Sequence, residues 1–99
     1  MQLYMFADTR EYLNSLQDSA RSQVMEDMHL LAVTDDRAVR TKQLKGQIRE
    51  LIVGDHRLTY FKIFDTLYFV RGFRKQSRKT PPAEIEYAEN VYKMVKQTV

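Results

Sequence analysis

Apolar positions change rhythm along this chain, from a helical period to an alternating one and back. Leu3, Tyr4, Met5 and Phe6 form a short apolar run before a polar break, which predicts a brief first strand. Tyr12, Leu13, Leu16, Ala20, Val24, Met28 and Leu31 then recur at helical spacing. Asp8 is placed to cap that segment, with Glu11 three residues later to complete a capping box. One long helix or two packed helices fit the spacing, the second capped by Asp18 after a turn near Leu16–Gln17. Thr34, Asp35 and Asp36 end the pattern.

Residues 37–47 are polar and basic, with a turn at Gly46. Strands are predicted at Ile48–Val53, Arg57–Phe64 and Leu67–Phe73, joined by turns at Gly54–Asp55 and Asp65–Thr66. They form an antiparallel meander of three strands, or a sheet of four if Tyr4–Phe6 joins. Alternation assigns Leu58, Tyr60, Lys62 and Phe64 to one face of the middle strand and Arg57, Thr59, Phe61 and Ile63 to the other. Neither face is cleanly polar, so the sheet is covered on both sides or carries a functional face of aromatics and Arg. Arg74–Lys79 is a basic loop; Thr80 then caps a last helix with Pro81 at its first position. Ile85, Ala88, Tyr92 and Val95 give that helix an apolar stripe. The expectation is one α+β domain over residues 1–99, with an N-terminal helical hairpin, a sheet of three or four strands and a C-terminal helix.

Charge sharpens this layout. Residues 37–79 hold twelve Lys or Arg against three Asp or Glu, a local charge of +9 within a formal net charge of +3. The flanking helical segments are acidic. A basic sheet between acidic helices attracts polyanions, RNA first among them. With no Cys, disulfide staples and Cys-based zinc sites are excluded. No apolar run approaches a membrane span, and Asp8, Arg10 and Glu11 interrupt the early apolar residues, so no cleavable signal is expected. A soluble, cytoplasmic protein without membrane partners is predicted.

No phosphate-binding loop, dinucleotide fingerprint or metal motif is present. RNA, however, carries its own nucleophile, the 2′-OH. Cleavage needs that hydroxyl in line with the phosphate, charge stabilisation on the phosphate oxygens and a proton for the departing 5′-oxygen. Arg suits the charge-stabilising role, and Arg49, Arg57, Arg71 and Arg74 are the candidates. A solvated charge explains any one of them equally well; the bias of the whole segment is what points to phosphate. His56, Glu50, Tyr60 and Lys75 are the candidates for proton transfer. His29, near the apolar stripe, reads as a surface or packing residue. Lys42 and Lys45, with Lys75, Arg78 and Lys79, read as grips on an RNA backbone. Tyr60, Phe61, Tyr68 and Phe73 could stack on bases, although a small sheet needs most of its aromatics as core.

Several runs resemble a known family. Leu44-Lys45-Gly46-Gln47-Ile48-Arg49-Glu50-Leu51 is similar to the "LKG…EL" segment of phage-derived Gp49-like proteins, of the HigB/RelE superfamily of toxins. His56-Arg57-Leu58-Thr59-Tyr60-Phe61 resembles the family's "YR-(hydrophobic)-x-YF" strand. Gly72–Pro81 resembles "GF-x-KK-x-x-KTP", and Glu84-Ile85 with Ala88 matches "EI-x-x-A". The resemblance implies a RelE-like, microbial-RNase-like fold. It implies the toxin of a type II toxin–antitoxin system: a ribosome-dependent, metal-independent mRNA endonuclease that needs no cofactor and inhibits translation. Implied partners are the ribosome, mRNA and a helix-turn-helix antitoxin, with operator DNA reached only through the antitoxin. The alternative within the same fold is a non-catalytic RNA-binding protein or antitoxin-bound co-repressor.

The resemblance also implies roles. Arg57 matches the strand Arg used on phosphate, and Arg74 or Lys75 the basic position after the last strand. Arg49 and Glu50 fall where related toxins place catalytic groups, but an aromatic is usual at Arg49 and Tyr at His56. Many members use a Tyr or His near the C-terminus, for which Tyr87 and Tyr92 are the tyrosines available.

Overall fold

The alternating segment forms the centre of a five-stranded sheet in the computed structural model, which describes residues 1–99. The strands are β1 (Gln2–Met5), β2 (Arg40–Lys45), β3 (Ile48–Val53), β4 (His56–Ile63) and β5 (Thr66–Arg74). The helices are α1 (Ala7–Asn14), α2 (Asp18–Thr34) and α3 (Pro82–Thr98). In space the strands run β1-β5-β4-β3-β2. The strands from β2 to β5 are antiparallel to their neighbours, whereas β1 lies parallel to β5 with Leu3 opposite Leu67. The α+β expectation holds, but the sheet has five strands rather than three or four, and one pair is parallel. The extra strand is β2, in the polar and basic stretch 37–47 to which no strand is assigned from the sequence. It is an edge strand on which Leu44 is the apolar side chain packed inward, so the alternating apolar signal is missing. Its Lys and Arg also discourage pairing with other sheets.

The helices cover opposite faces. Leu13 of α1 and Val24, Met28 and Leu31 of α2 pack on Leu51, Val53, Leu58, Tyr60, Leu67 and Phe69. On the other face, α3 lays Ala88 and Val91 against Ile48, Phe61, Ile63 and Val70. Burying a side chain such as Leu58 or Phe61 contributes roughly 1.5–3 kcal/mol. Two cores, one on each face, explain why neither face of β4 reads as polar. No helix is long and apolar enough to cross a membrane.

The helix starts differ from their predicted caps. Phe6 occupies the N-cap of α1 and Gln17 that of α2, neither with a side-chain cap. Asp8 lies inside the first turn of α1, where its Oδ2 accepts hydrogen bonds from Tyr87 (3.0 Å) and Arg71 (3.4 Å). Arg71 also reaches Glu84 in the first turn of α3 (3.3 Å), and its guanidinium carbon lies 3.7 Å from the centre of the Tyr87 ring. Burial works against the Arg71 charge, but Glu84 and Asp8 outweigh it and hold its pKa above the ordinary value. One strand residue thus ties the starts of two helices together. α3 itself begins at Pro82, with Pro81 at the N-cap, one residue later than expected, so Thr80 is no cap.

A glycine seats α1. The Tyr12 ring lies on Gly72 of β5, where a Cβ would overlap the ring carbons. The Tyr12 hydroxyl then lies 2.6 Å from His56 Nδ1 at the start of β4. Burial pushes the His56 pKa down, and Arg74 and Arg57 push the same way against Asp55. Burial pushes the Tyr12 pKa up, so a protonated phenol and a neutral imidazole share this hydrogen bond, whose direction follows the ring tautomer. Gly72→Ala is expected to destabilise the fold by roughly 1–3 kcal/mol, the range for overpacking a filled site. Urea denaturation checks this, and an unchanged midpoint would refute the contact. Because the folded state lowers the His56 pKa, the unfolded chain binds the proton more readily. The His56 contribution is therefore present above about pH 6.5, the unperturbed value, and is lost as pH falls below it. Melting temperatures at pH 7.5 and 5.5 should diverge more for wild type than for His56→Gln; equal losses would remove His56 from the linkage.

Candidate functional site

Alternate residues of a strand face opposite sides, and direct cross-strand partners share a side. On the face that α3 packs against, one crosswise row is Arg40, Ile52, Arg57 and Phe73, taken from β2, β3, β4 and β5. The next row is Lys42, Glu50, Thr59 and Arg71. The helix covers the apolar residues beyond them and reaches Arg71 through Glu84 and Tyr87, but leaves the row from Arg40 to Phe73 uncovered. After β5 the chain folds back over the uncovered part as the loop 75–81. The Lys75 amide donates to the Asp55 carbonyl (2.7 Å), and the Thr80 hydroxyl donates to Glu50 Oε1 (2.6 Å). Glu50 belongs to the "LKG…EL" run and Thr80 to the "KTP" run, so two motif pieces far apart in sequence meet in one hydrogen bond.

Sheet and loop enclose an open cleft of about 220 Å³. Its basic side chains are Arg40, Lys42, Arg57, Lys75, Arg78 and Lys79, and its one acidic side chain is Glu50. Glu50 is only 3% exposed. Arg57 is held from behind: Nη1 donates to the carbonyls of Gly54 (2.6 Å) and His56 (3.0 Å). Gly54 makes the tight turn that presents its carbonyl, with φ +58°, a conformation that favours glycine. The other guanidinium nitrogens of Arg57 have no protein partner and remain for a ligand. Such a cleft can bind an anion between fixed cations, with one carboxylate close by to accept a proton. No cluster of three or more His, Cys, Asp or Glu side chains is placed to hold a metal ion.

The sequence-derived candidates divide between the two faces. Arg57, Glu50, Lys75, Lys42, Arg78 and Lys79 line the cleft together. Arg49 lies on the α2 side, where it donates to Thr41 (2.9 Å) and Tyr60 (3.3 Å) and pairs loosely with Asp36 (3.9 Å). His56 is held by Tyr12 on that same side, and Arg74, its cross-strand partner, is exposed there. Lys45 pairs with Glu89 of α3 (3.5 Å), away from the cleft, and Arg71 is taken up by the Asp8–Glu84–Tyr87 cluster. Tyr60, 3% exposed, is core; burial pushes its pKa up against the hydrogen bond from Arg49. Phe61 is core as well, while Tyr68 stacks on it and Tyr92 packs edge-on against it. Arg40, Ile52 and the Thr80 anchor are absent from the sequence-based set. Recognising β2 as a strand exposes the first two, because Arg40 and Lys42 then alternate onto the face of Ile52 and Glu50.

The fold has solved relatives. The structure is similar to the archaeal RelE–RelB complex from Pyrococcus horikoshii (TM-score 0.65, 14% identity, 79% of this chain and 97% of that one). It is similar to the RelBE2 toxin–antitoxin complex from Mycobacterium tuberculosis (0.62, 17%, 75% and 96%). It is also similar to the isolated E. coli RelE toxin (0.61, 10%, 91% and 97%). No curated protein matches the sequence. The fold is therefore that of the RelE toxins. A family model described as "Phage derived protein Gp49-like (DUF891)" matches residues 11–93, which include α2, α1 from Glu11 onward, every strand of the cleft floor and most of α3. The chain belongs to the phage-derived Gp49-like family.

Proposed function

We propose that this protein is the toxin of a type II toxin–antitoxin pair and cleaves mRNA in the ribosome. The observation that carries this reading is the cleft itself, in which six cations surround one carboxylate. The free nitrogens of Arg57 fork onto the scissile phosphate, and Lys75, Arg78 and Lys79 grip the neighbouring backbone. Glu50 takes the proton of the 2′-OH as that oxygen attacks phosphorus. The P–O5′ bond breaks, an ammonium group of the cleft protonates the departing oxygen, and a 2′,3′-cyclic phosphate and a 5′-hydroxyl result. No cofactor enters these steps. The ribosome supplies the alignment of the strand, and the protein acts in the cytoplasm. A helix-turn-helix antitoxin is the partner that silences it, and operator DNA is reached only through that antitoxin. Lys45, Arg49, His56, Tyr60, Arg71 and Arg74 take no part in the chemistry on this reading.

One observation favours a second reading. No imidazole or phenol lines the cleft, since His56 faces the other side and Tyr87 and Tyr92 are engaged with Asp8 and Phe61. A RelE-fold protein that binds RNA without cutting it, or serves as an antitoxin-bound co-repressor, fits that absence.

Induced expression separates the two. Wild type should arrest growth and leave mRNA fragments with 5′-hydroxyl ends. Arg57→Ala should lower cleavage by roughly a hundredfold or more, as loss of one transition-state donor does. Arrest with intact mRNA, or cleavage unaffected by the substitution, would sink the endonuclease reading. RNA affinity should also fall with salt. With about −0.7 per phosphate contact for single strands, six cations set a limiting log–log slope near −4. Affinity indifferent to salt would rule out a phosphate-dominated cleft.

A further inference from the structure

Two large apolar side chains of the central strands β3, β4 and β5 belong to neither hydrophobic core. Ile52 and Phe73 are absent from the cluster under α1 and α2 and from the cluster under α3. Both are partly exposed and both line the basic cleft. They are the cross-strand partners of Arg57, Ile52 on β3 and Phe73 on β5. The floor of the cleft therefore reads apolar, guanidinium, apolar across three strands. A site built only for phosphates needs no apolar flanks, yet Phe73 stays partly exposed in the cleft, outside both cores. An aromatic ring beside a free guanidinium does match a nucleotide, which joins a flat apolar base to an anionic phosphate.

We propose that Phe73 is the nucleobase platform of this cleft, with one unpaired base of a single-stranded RNA stacked on its ring while Arg57 holds the adjoining phosphate. Ile52 forms the apolar floor on the other side of Arg57. The inference rests on the reading of the cleft as an RNA site and specifies the ligand further. Bases in a duplex are already stacked and paired, so this platform selects single strands. The stacking face is tolerant of base identity, because every base presents a π-surface.

The chain contains no Trp, so Phe73→Trp places a single fluorescent reporter at the platform. Binding is measured at low salt with a short single-stranded RNA and with an oligomer of the same length lacking all bases. The RNA should quench the indole fluorescence of this variant, whereas the abasic oligomer should bind without quenching it. Wild type should prefer the RNA to the abasic oligomer on the order of tenfold, the usual contribution of one stacked base. Phe73→Leu, which keeps an apolar side chain outside both cores, should remove that preference and leave abasic binding unchanged. An unchanged preference in Phe73→Leu, or equal quenching by both oligomers, overturns the platform while leaving the cleft as an RNA site. Wild type that binds neither oligomer overturns the RNA reading of the cleft and the platform with it.

Discussion

The hydrogen bond from Thr80 to Glu50 holds the open half of the sheet in its working form. A carboxylate that is 3% exposed has exchanged most of its hydration for protein contacts, and leaving such a group without partners is costly. Thr80 supplies a donor at 2.6 Å, and the cations of the cleft supply a compensating field. The dependence runs both ways. Without Glu50, the floor would bring Arg40, Lys42 and Arg57 close together with no negative charge between them. Without Thr80, the loop carrying Lys75, Arg78 and Lys79 would keep only its attachment at the Asp55 carbonyl and its continuation into α3.

Where α3 sits decides how much of that floor is open. Its first turn is fixed by Glu84 on Arg71, and Arg71 is fixed in turn by Asp8 of α1 and the Tyr87 ring. From that anchor the helix runs over Ile48, Phe61, Ile63 and Val70 and away from Arg57. The same cluster explains why a charged residue in an apolar strand is tolerated: two carboxylates and an aromatic face replace the water it loses. An Arg that looks like a ligand contact in the sequence is thus part of the framework that positions the ligand contacts.

The helical stripes, the three central strands and the basic bias were legible because each rests on local periodicity or composition. Leu13, Val24, Met28 and Leu31 fall in one core as their spacing implies, and Ala88 falls in the other. Strand β2 was not legible, because an edge strand between solvent and a basic cleft has little apolar pattern to show. Its loss hid Arg40. The parallel pairing of β1 with β5 joins residues more than sixty positions apart, and nothing local encodes it. Faces were the other difficulty. Strict alternation from Arg57 places His56 on the opposite side, so adjacent residues that both look chemical cannot share one site on a strand. Asp8 and Thr80 failed as caps for a related reason: a polar side chain at a helix start is drawn to a tertiary partner when one lies within reach.

Preorganisation connects these parts to the chemistry. Arg57 projects from a strand, and the carbonyls of Gly54 and His56 orient its guanidinium from behind before any ligand arrives. Fewer rotamers then have to be frozen on binding, so more of each phosphate contact appears as affinity. The six cations of the cleft repel one another in the free protein, and Glu50 offsets only part of that repulsion. A polyanion relieves the remainder. The cleft is thus held open and charged by the fold around it, by Arg71 and its partners on one side and by the Thr80 anchor on the other. The stability stored in those framework contacts maintains a charge density that is unfavourable until an anionic ligand neutralises it.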